Sequence, residues 1–309
     1  FSLGAFNLQP SVEEFYATCD AMVVVGSRLR SNETLSYALK LPSPLYQIDA
    51  DPLAEGRSYP ADMFVCGDSA TALDMLANQL EKTYEPDPEF GKDIQAARAA
   101  AEKGMRRALG PYNEVLDAVL GTVPRNFVWV RDITLSNTIW GNRLPALDGP
   151  RNGVHALGGG IGQGLPMGVG AALAVQREGR KTLILAGDGG FAVTLGELAT
   201  AKQENADIAI LLMNDVGYGV IKNIQDAKYG GRKVYADILG PDWAGLCRSL
   251  GISHAKVGAA EGLAPALRNA FNVEGPALVE VDMKEFGDFA QAFAGPPTRD
   301  EPEDGEVSG

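Results

Sequence analysis

The sequence between residues 182 and 219 reads TLILAGDGGFAVTLGELATAKQENADIAILLMNDVGYG. Residues 182–186 and 208–213 have the apolar composition of short buried strands, and the segment between them is long enough for a helix. A strand, helix, strand unit crosses over with a right hand, which makes its two strands parallel. Asp188 and Asp215 are therefore predicted to lie together at the carboxyl edge of a sheet, where open α/β folds bind their ligands.

The first of the two acidic turns has the composition of a phosphate site. Gly187 and Gly189 allow a sharp turn, and they bring the backbone N–H groups of Gly189 and Gly190 toward a ligand at a helix N-terminus. A carboxylate at Asp188 would repel a diphosphate there unless a divalent cation lay between them. The turn therefore implies a metal ion as well as a phosphate.

Mg²⁺ accepts the mixture of carboxylate, carbonyl and phosphate oxygens that these turns offer. Asp188 and Asp215 would supply two carboxylates. In the NDVGYG turn, Gly217 is free to adopt unusual dihedral angles and could offer its backbone carbonyl as a third ligand. The sequence therefore predicts a metal and diphosphate site.

Two other interpretations explain part of the same stretch. Gly187, Gly189 and Ala192 also satisfy the G-x-G-x-x-A pattern of an NAD-binding dehydrogenase, with Glu204 or Asp207 downstream as a ribose partner. That bare pattern is weak evidence, and the carboxylate at its second position would face the pyrophosphate. A purely structural glycine turn with one N-capping carboxylate leaves the second acidic turn unexplained.

The spacing of GDG and the following Asn-Asp pair resembles the thiamine diphosphate signature of the acetolactate synthase, benzoylformate decarboxylase and pyruvate decarboxylase superfamily. Three further stretches resemble the same superfamily: GGGIGQGLP at 158–166, ELATA at 197–201 and VVVGSRL at 23–29. The first resembles the loop before GDG, the second the helix after it, and the third a strand and turn of the central domain.

The resemblance implies roles for individual residues. Asp188 and Asp215 would be the side-chain ligands of Mg²⁺, Gly217 the carbonyl ligand, and Ile161 the apolar wedge under the cofactor. Many relatives carry Asn where this chain has Asp215, which adds one negative charge here. The residues expected to contact thiamine diphosphate are Thr134, Gly160, Ile161, Gly187, Asp188, Gly189, Gly190, Asp215, Gly217 and Tyr218.

Three polar or aromatic residues keep two interpretations each. Thr134 follows a predicted strand, so it could touch the diphosphate or cap a helix. Tyr218 could pack beside the cofactor or belong to the core. His155 could face the substrate as the catalytic acid or base, or be structural. His254 follows a predicted helix and is expected to be peripheral.

Length and composition fit an α/β protein of two domains, with 309 residues that are 45% hydrophobic. The resemblance implies two doubly wound parallel-sheet domains, with the latter part of a Rossmann-like central domain in residues 1–83, and residues 84–110 are predicted to form a linker with a bridging helix. The diphosphate-binding domain is expected in residues 111–295, before an acidic tail, 296–309, predicted to be disordered.

Charge and cysteine content bound the partners and the compartment. The formal net charge of −13 argues against nucleic acid or an anionic membrane surface as a partner, and no apolar run reaches membrane-spanning length. Cys19, Cys66 and Cys247 are widely spaced and form no C-x-x-C motif, so we expect reduced thiols in a cytoplasmic protein.

The resemblance also implies what this chain does not contain. FAD occurs in the central domain of some members, but no G-x-G-x-x-G in residues 1–83 marks a nucleotide site, so FAD is not indicated. The family's activating Glu lies on a pyrimidine-binding domain, expected upstream of Phe1 or on a separate chain. This implies a homo- or hetero-oligomer, a dimer or a tetramer, that acts on 2-oxo acids, with a non-catalytic subunit of a split enzyme as the alternative.

Overall fold

The described part of this computed structural model, residues 2–295, divides into two units, residues 2–104 and Met105–Gly295. This division falls inside the segment predicted as linker and bridging helix. The predicted acidic tail, 296–309, lies outside the described residues. Between residues 2 and 295, every helix is too short or too polar to cross a lipid bilayer.

The strands are β1 Met22–Val25, β2 Leu45–Asp49, β3 Met63–Cys66, β4 Val128–Arg131, β5 Gly153–His155, β6 Thr182–Gly187, β7 Ile208–Asn214, β8 Ser253–Val257 and β9 Ala277–Asp282. The α-helices are α1 Pro10–Tyr16, α2 Ser69–Thr83, α3 Phe90–Leu109, α4 Tyr112–Thr122, α5 Gly164–Val175, α6 Asp188–Val193, α7 Glu197–Gln203, α8 Gly219–Tyr229, α9 Trp243–Leu250, α10 Ala260–Asn272 and α11 Met283–Phe286.

The first unit contains a three-stranded parallel sheet in the order β1-β2-β3. The sequence pattern also favours a helix at residues 32–39, and that prediction is wrong. A short 3₁₀ turn, Ser31–Glu33, is followed by left-handed backbone at Leu35, Ser36 and Tyr37. Short hydroxyl and amide side chains compete with helical hydrogen bonding by bonding to the local backbone, which explains this outcome.

The second unit is built on a six-stranded parallel sheet in the order β5-β4-β6-β7-β9-β8. Together the two parallel sheets, flanked by helices, confirm the predicted α/β doubly wound class. β6 and β7 are central strands, and their mainly apolar composition follows from burial on both faces. From β4, the chain goes to β5 on one side of the sheet and then to β6 on the other. This reversal creates a crevice between the carboxyl ends of β4 and β6.

Helix α5 packs very closely on the sheet below that crevice. A Cβ atom at Gly168 would lie 2.1 Å from the Cδ1 atom of Ile184, so only glycine allows this approach. The segment between β6 and β7, for which the sequence predicts one helix, instead forms two helices, α6 and α7. Thr194, which lies in the break, has a non-helical backbone, and its hydroxyl donates to the carbonyl of Gly162 at 2.9 Å. This contact links the break to the glycine-rich loop.

Candidate functional site

Both acidic turns leave the sheet at the same level. Asp188 follows β6 as the first residue of α6, and Asp215 follows β7 directly. The two strands are parallel, and their register continues to the pair Gly187 and Met213. The structure therefore brings the two aspartates to one carboxyl edge of the sheet.

The carboxylate of Asp188 is bonded to the turn that follows β7. Asp188 is only 1% exposed. Its Oδ2 atom accepts from the backbone N–H of Gly217 at 3.0 Å, and its Oδ1 atom accepts from that of Asp215 at 3.4 Å. The side chains of Asp188 and Asp215 are themselves within hydrogen-bonding reach of each other. The two carboxyl groups are thus direct neighbours.

This proximity has an electrostatic cost. Burial raises the pKa of Asp215 to about 7, and the hydrogen bond and negative charge of Asp188 act in the same direction. The ammonium group of Lys222 opposes this rise, while it donates to the carbonyl of Val216 at 3.0 Å and pairs with Asp237 at 2.9 Å. Two neighbouring carboxylates ionise together only when positive charge balances them. A proton or a metal ion can provide that charge.

The glycines of the GDG turn are required for space. A Cβ atom at Gly189 would lie 2.6 Å from the ring of Tyr218, and one at Gly187 would lie 2.9 Å from the Oγ1 atom of Thr134. Gly187 has a φ of −94° and Gly189 lies inside α6, so neither uses left-handed backbone. The structure thereby packs Thr134 and Tyr218 against the backbone of the first acidic turn.

In the second turn, the unusual backbone belongs to Val216 rather than to Gly217. Val216 has a φ of +55°, and its N–H donates to the Oδ1 atom of Asn214 at 3.2 Å. Gly217 has no left-handed φ; its carbonyl oxygen lies 3.3 Å from the Cβ position of Gly189. The carbonyl that was predicted as a metal ligand therefore lies beside the first turn of α6.

A third carboxylate, Asp132, holds the glycine-rich loop in place. Asp132 is fully buried, and its carboxylate accepts from the backbone N–H groups of Gly162 at 3.0 Å and Ile133 at 2.7 Å. Burial raises the pKa of Asp132, while these N–H groups lower it. Asp132 lies 3.1 Å from the Cβ position of Gly190, so it joins the loop to α6. The signal in the sequence was the position of this aspartate just after a predicted strand, at the carboxyl edge of the sheet.

The other predicted site residues lie around this crevice. Gly160 and Ile161 belong to the loop that Asp132 holds, and Ile161 is 40% exposed. His155 is exposed on β5, and β4 lies between β5 and β6. His155 is therefore about 10 Å from the strand that carries the GDG turn, since neighbouring strands are about 5 Å apart.

The metal-ligating side chains are few. Among residues 2–295, no three His, Cys, Asp or Glu side chains cluster as a ligand set. Asp188 and Asp215 are two carboxylates without a third, so a metal here would complete its coordination with backbone carbonyls, water or the ligand's own oxygens. This is the pattern of an Mg²⁺ site that binds a phosphate ligand.

Sequence reasoning missed a buried carboxylate behind the second turn. Glu280, on β9, is 5% exposed, and it contacts both Asn214 and His254. The signal was a glutamate inside the apolar segment ALVEVD, because a fully buried glutamate is rare unless it is paired. His254, which was expected to be peripheral, lies on β8 at the edge of the sheet. Its ring contacts the carboxylate of Glu280.

Comparison with known protein families gives one match over this part of the chain. Residues 135–281 match the family model of the thiamine pyrophosphate enzymes, specifically their C-terminal TPP binding domain. Asp188, Asp215 and Glu280 all lie within the matched residues. The matched region also contains β5 to β8 and all of β9 except its last residue, Asp282.

Curated relatives match over most of this chain. It is 30% identical to a probable 2-ketoarginine decarboxylase of Pseudomonas aeruginosa over 87% of this chain and 48% of the relative. It is 27% identical to a benzoylformate decarboxylase of the same organism over 85% and 48%. It is 26% identical to an acetolactate synthase large subunit of Parasynechococcus marenigrum over 86% and 44%. The chain thus spans about half the length of the curated relatives it matches.

Proposed function

The chain belongs to the thiamine diphosphate-dependent enzyme superfamily and carries its C-terminal TPP binding domain, and we propose that it is the cofactor-binding part of an Mg²⁺-dependent enzyme acting on 2-oxo acids. The proposed reactions are decarboxylation and carboligation. Relatives named for each of these reactions match over 85–87% of this chain.

The observation that carries this proposal is the convergence of Asp188 and Asp215 beside a sheet reversal. Two carboxylates in hydrogen-bonding contact leave the site short of positive charge, even with the ammonium of Lys222 nearby. A hard divalent cation balances both carboxylates and binds a diphosphate at the same time. The residues present therefore fit an Mg²⁺ ion with a diphosphate ligand.

The roles of the surrounding residues follow from their positions. Asp188, Asp215 and the carbonyl of Gly217 would hold the metal. The N–H groups of Gly189 and Gly190, in the first turn of α6, are beyond the reach of any carbonyl of that helix and would face the diphosphate.

The rest of the crevice would orient the cofactor's ring system. Ile161 presents an exposed apolar side chain from a loop that the buried carboxylate of Asp132 fixes. When bound, thiamine diphosphate supplies a carbon nucleophile for the carbonyl of a 2-oxo acid and an electron sink for the loss of CO₂. The chain's contribution is to hold the cofactor in one conformation, which lowers the entropy cost of reaction.

The relatives are about twice as long as the matched region, so we propose that a second polypeptide region completes the active site. A pyrimidine-binding domain, upstream or on a partner chain, would contribute the activating glutamate. The active form would then be an oligomer. Its proposed location is the cytoplasm, where the three reduced cysteines are stable.

The test is titration calorimetry of thiamine diphosphate in the presence and absence of Mg²⁺. We expect binding that requires Mg²⁺, that a chelator abolishes, and that Asp188→Ala removes. Asp207→Asn is the matched control, because it changes an aspartate that pairs with Lys181 just before β7, at the opposite end of that strand. Thiamine diphosphate binding that needs no metal and persists in Asp188→Ala would contradict the proposal. NADH binding without metal, detected by fluorescence, would instead support a dinucleotide site.

A further inference from the structure

Glu280 is a buried carboxylate that lies behind the proposed metal site without touching it. It occupies β9, between β7 and β8, and only 5% of it is exposed. Its two oxygens have different partners on these two neighbouring strands. Oε1 accepts from the Nδ2 atom of Asn214 at 2.9 Å, and Oε2 lies 3.0 Å from the Nε2 atom of His254. Glu280 therefore links the edge strand to the end of β7.

The contact with Glu280 decides which way the Asn214 amide points. An ionised carboxylate only accepts hydrogen bonds, so it must face the NH₂ group of Asn214. The carbonyl Oδ1 atom then points the other way, where it accepts from the N–H of Val216 at 3.2 Å. If the amide were reversed, its NH₂ group would face that N–H, and the bond to Val216 would be lost. Glu280 thus fixes the acceptor that the turn uses.

The Oδ1 atom of Asn214 accepts a hydrogen bond from Val216, a residue with a strained backbone. Val216 has a φ of +55°, a conformation that is a genuine outlier for a β-branched residue. Such backbone persists only where its surroundings impose it. Val216 stands between Asp215 and Gly217, the two residues of this turn that the proposed function assigns to the metal. The conformation of Val216 therefore sets how the backbones of Asp215 and Gly217 are placed relative to each other.

We propose that Glu280, held by His254, is a positioning residue that fixes the metal-binding turn of residues 214–217 through the amide of Asn214. This inference rests on the proposed function, because it concerns the same metal site. It adds a chain of contacts across three strands, His254 to Glu280 to Asn214, that arranges the ligands before the metal binds. Groups that orient metal ligands from behind change metal affinity by about 10–100-fold when removed.

The experiment compares Glu280→Leu and Glu280→Gln by calorimetric titration of Mg²⁺ in the presence of thiamine diphosphate. The Leu variant cannot orient Asn214, so its affinity should fall by about 10–100-fold. Gln can still accept from Asn214 and donate to a neutral His254, so its affinity should stay within about threefold of the wild type. Amide hydrogen exchange at Val216 and Gly217 in the metal-free protein should accelerate in the Leu variant only.

A second substitution separates positioning from general destabilisation. Val216→Gly adopts a positive φ without strain, so it removes the need for the acceptor on Asn214. In that background, Glu280→Leu should cost little further affinity. Should Glu280→Leu be too unstable to titrate, Asn214→Ala tests the same link from its other end, with the same expected loss and the same rescue by Val216→Gly.

The outcomes distinguish this inference from the proposed function. Loss of Mg²⁺ binding in Asp188→Ala with unchanged affinity in Glu280→Leu would overturn the positioning role and leave the metal site standing. Equal losses in the Leu and Gln variants, or no rescue by Val216→Gly, would also overturn it. Retained Mg²⁺ binding in Asp188→Ala would reject the proposed function itself. Asp207→Asn, at the opposite end of β7, should leave the affinity unchanged.

Discussion

Replacing Gly219 by alanine should weaken metal binding without weakening the protein. Gly219 is the first residue of α8, four positions after Asp215. A Cβ atom at Gly219 would lie 2.0 Å from the Oδ2 atom of Asp215, whereas ordinary contact begins at 3.4 Å. The carboxylate oxygen must therefore move by about 1.4 Å, the difference between these two distances.

This movement should weaken metal binding without lowering the stability of the fold. Mg²⁺ requires near-octahedral ligands at about 2.0–2.1 Å, so a ligand displaced by more than 1 Å no longer coordinates well. We expect the affinity for Mg²⁺ to fall by about 10–100-fold, as it does when the groups around a metal are disturbed. The displaced atom is the end of a flexible side chain, and alanine favours a helix over glycine by up to about 1 kcal/mol. The metal-free protein should therefore be as stable as the wild type or slightly more stable.

The assay combines Mg²⁺ titration in the presence of thiamine diphosphate with urea unfolding of the metal-free protein. Gly170→Ala is the matched control, because Gly170 lies inside α5 and nothing stands within 4 Å of its Cβ position. It should gain helix stability without any change in affinity. A folded Gly219→Ala protein with wild-type affinity would refute the orientation of Asp215 on which the proposed metal site depends.

Three further results are expected. Burial raises the pKa of Asp215 to about 7, so the metal-free site binds a proton below that pH. Mg²⁺ affinity measured by calorimetry should therefore fall about tenfold per pH unit below 7. The Asp215→Asn variant should lack this pH dependence. Gly168→Ala places a methyl group 2.1 Å from Ile184 and should lower the free energy of unfolding in urea by about 1–3 kcal/mol. Burial raises the pKa of the Cys247 thiol to about 11, so at pH 8 a chromogenic disulfide reagent should modify exposed Cys66 quickly and Cys247 only after unfolding.

The main features of the second unit could be predicted from local sequence. Apart from Thr182, residues 182–186 and 208–213 are apolar, as strands buried on both faces tend to be, and they are found within β6 and β7. Right-handed crossover and parallel pairing then place Asp188 and Asp215 at one edge, and this needs no knowledge of any other residue. The proximity of Asp188 and Asp215, which are 27 positions apart, could therefore be predicted from a single strand, helix, strand unit.

The details that were missed depend on contacts between distant residues. Glu280 is 66 positions from Asn214, and no local pattern indicates that a glutamate in one strand orients an amide in another. The left-handed residue of the second turn was expected at Gly217, because glycine tolerates positive φ most easily. Val216 takes that conformation instead, since Asn214 provides an acceptor for its N–H. Tertiary hydrogen bonds here outweigh intrinsic backbone preference.

This chain has Asp215 where many members of the family carry Asn. The additional carboxylate couples the stability of the fold to metal binding at the proposed site. Its raised pKa means that the metal-free protein loses stability as the pH rises through about 7, because ionisation then opposes the folded state. An Mg²⁺ ion removes this repulsion, and it stabilises the folded state further in proportion to the logarithm of its concentration over the dissociation constant. Lys222 supplies only part of the same compensation, since its ammonium is shared with Asp237 and the carbonyl of Val216. In the proposed Mg²⁺ site, an asparagine would bind the ion without this repulsion, so the aspartate would make the stability of this chain more dependent on the metal at neutral and alkaline pH.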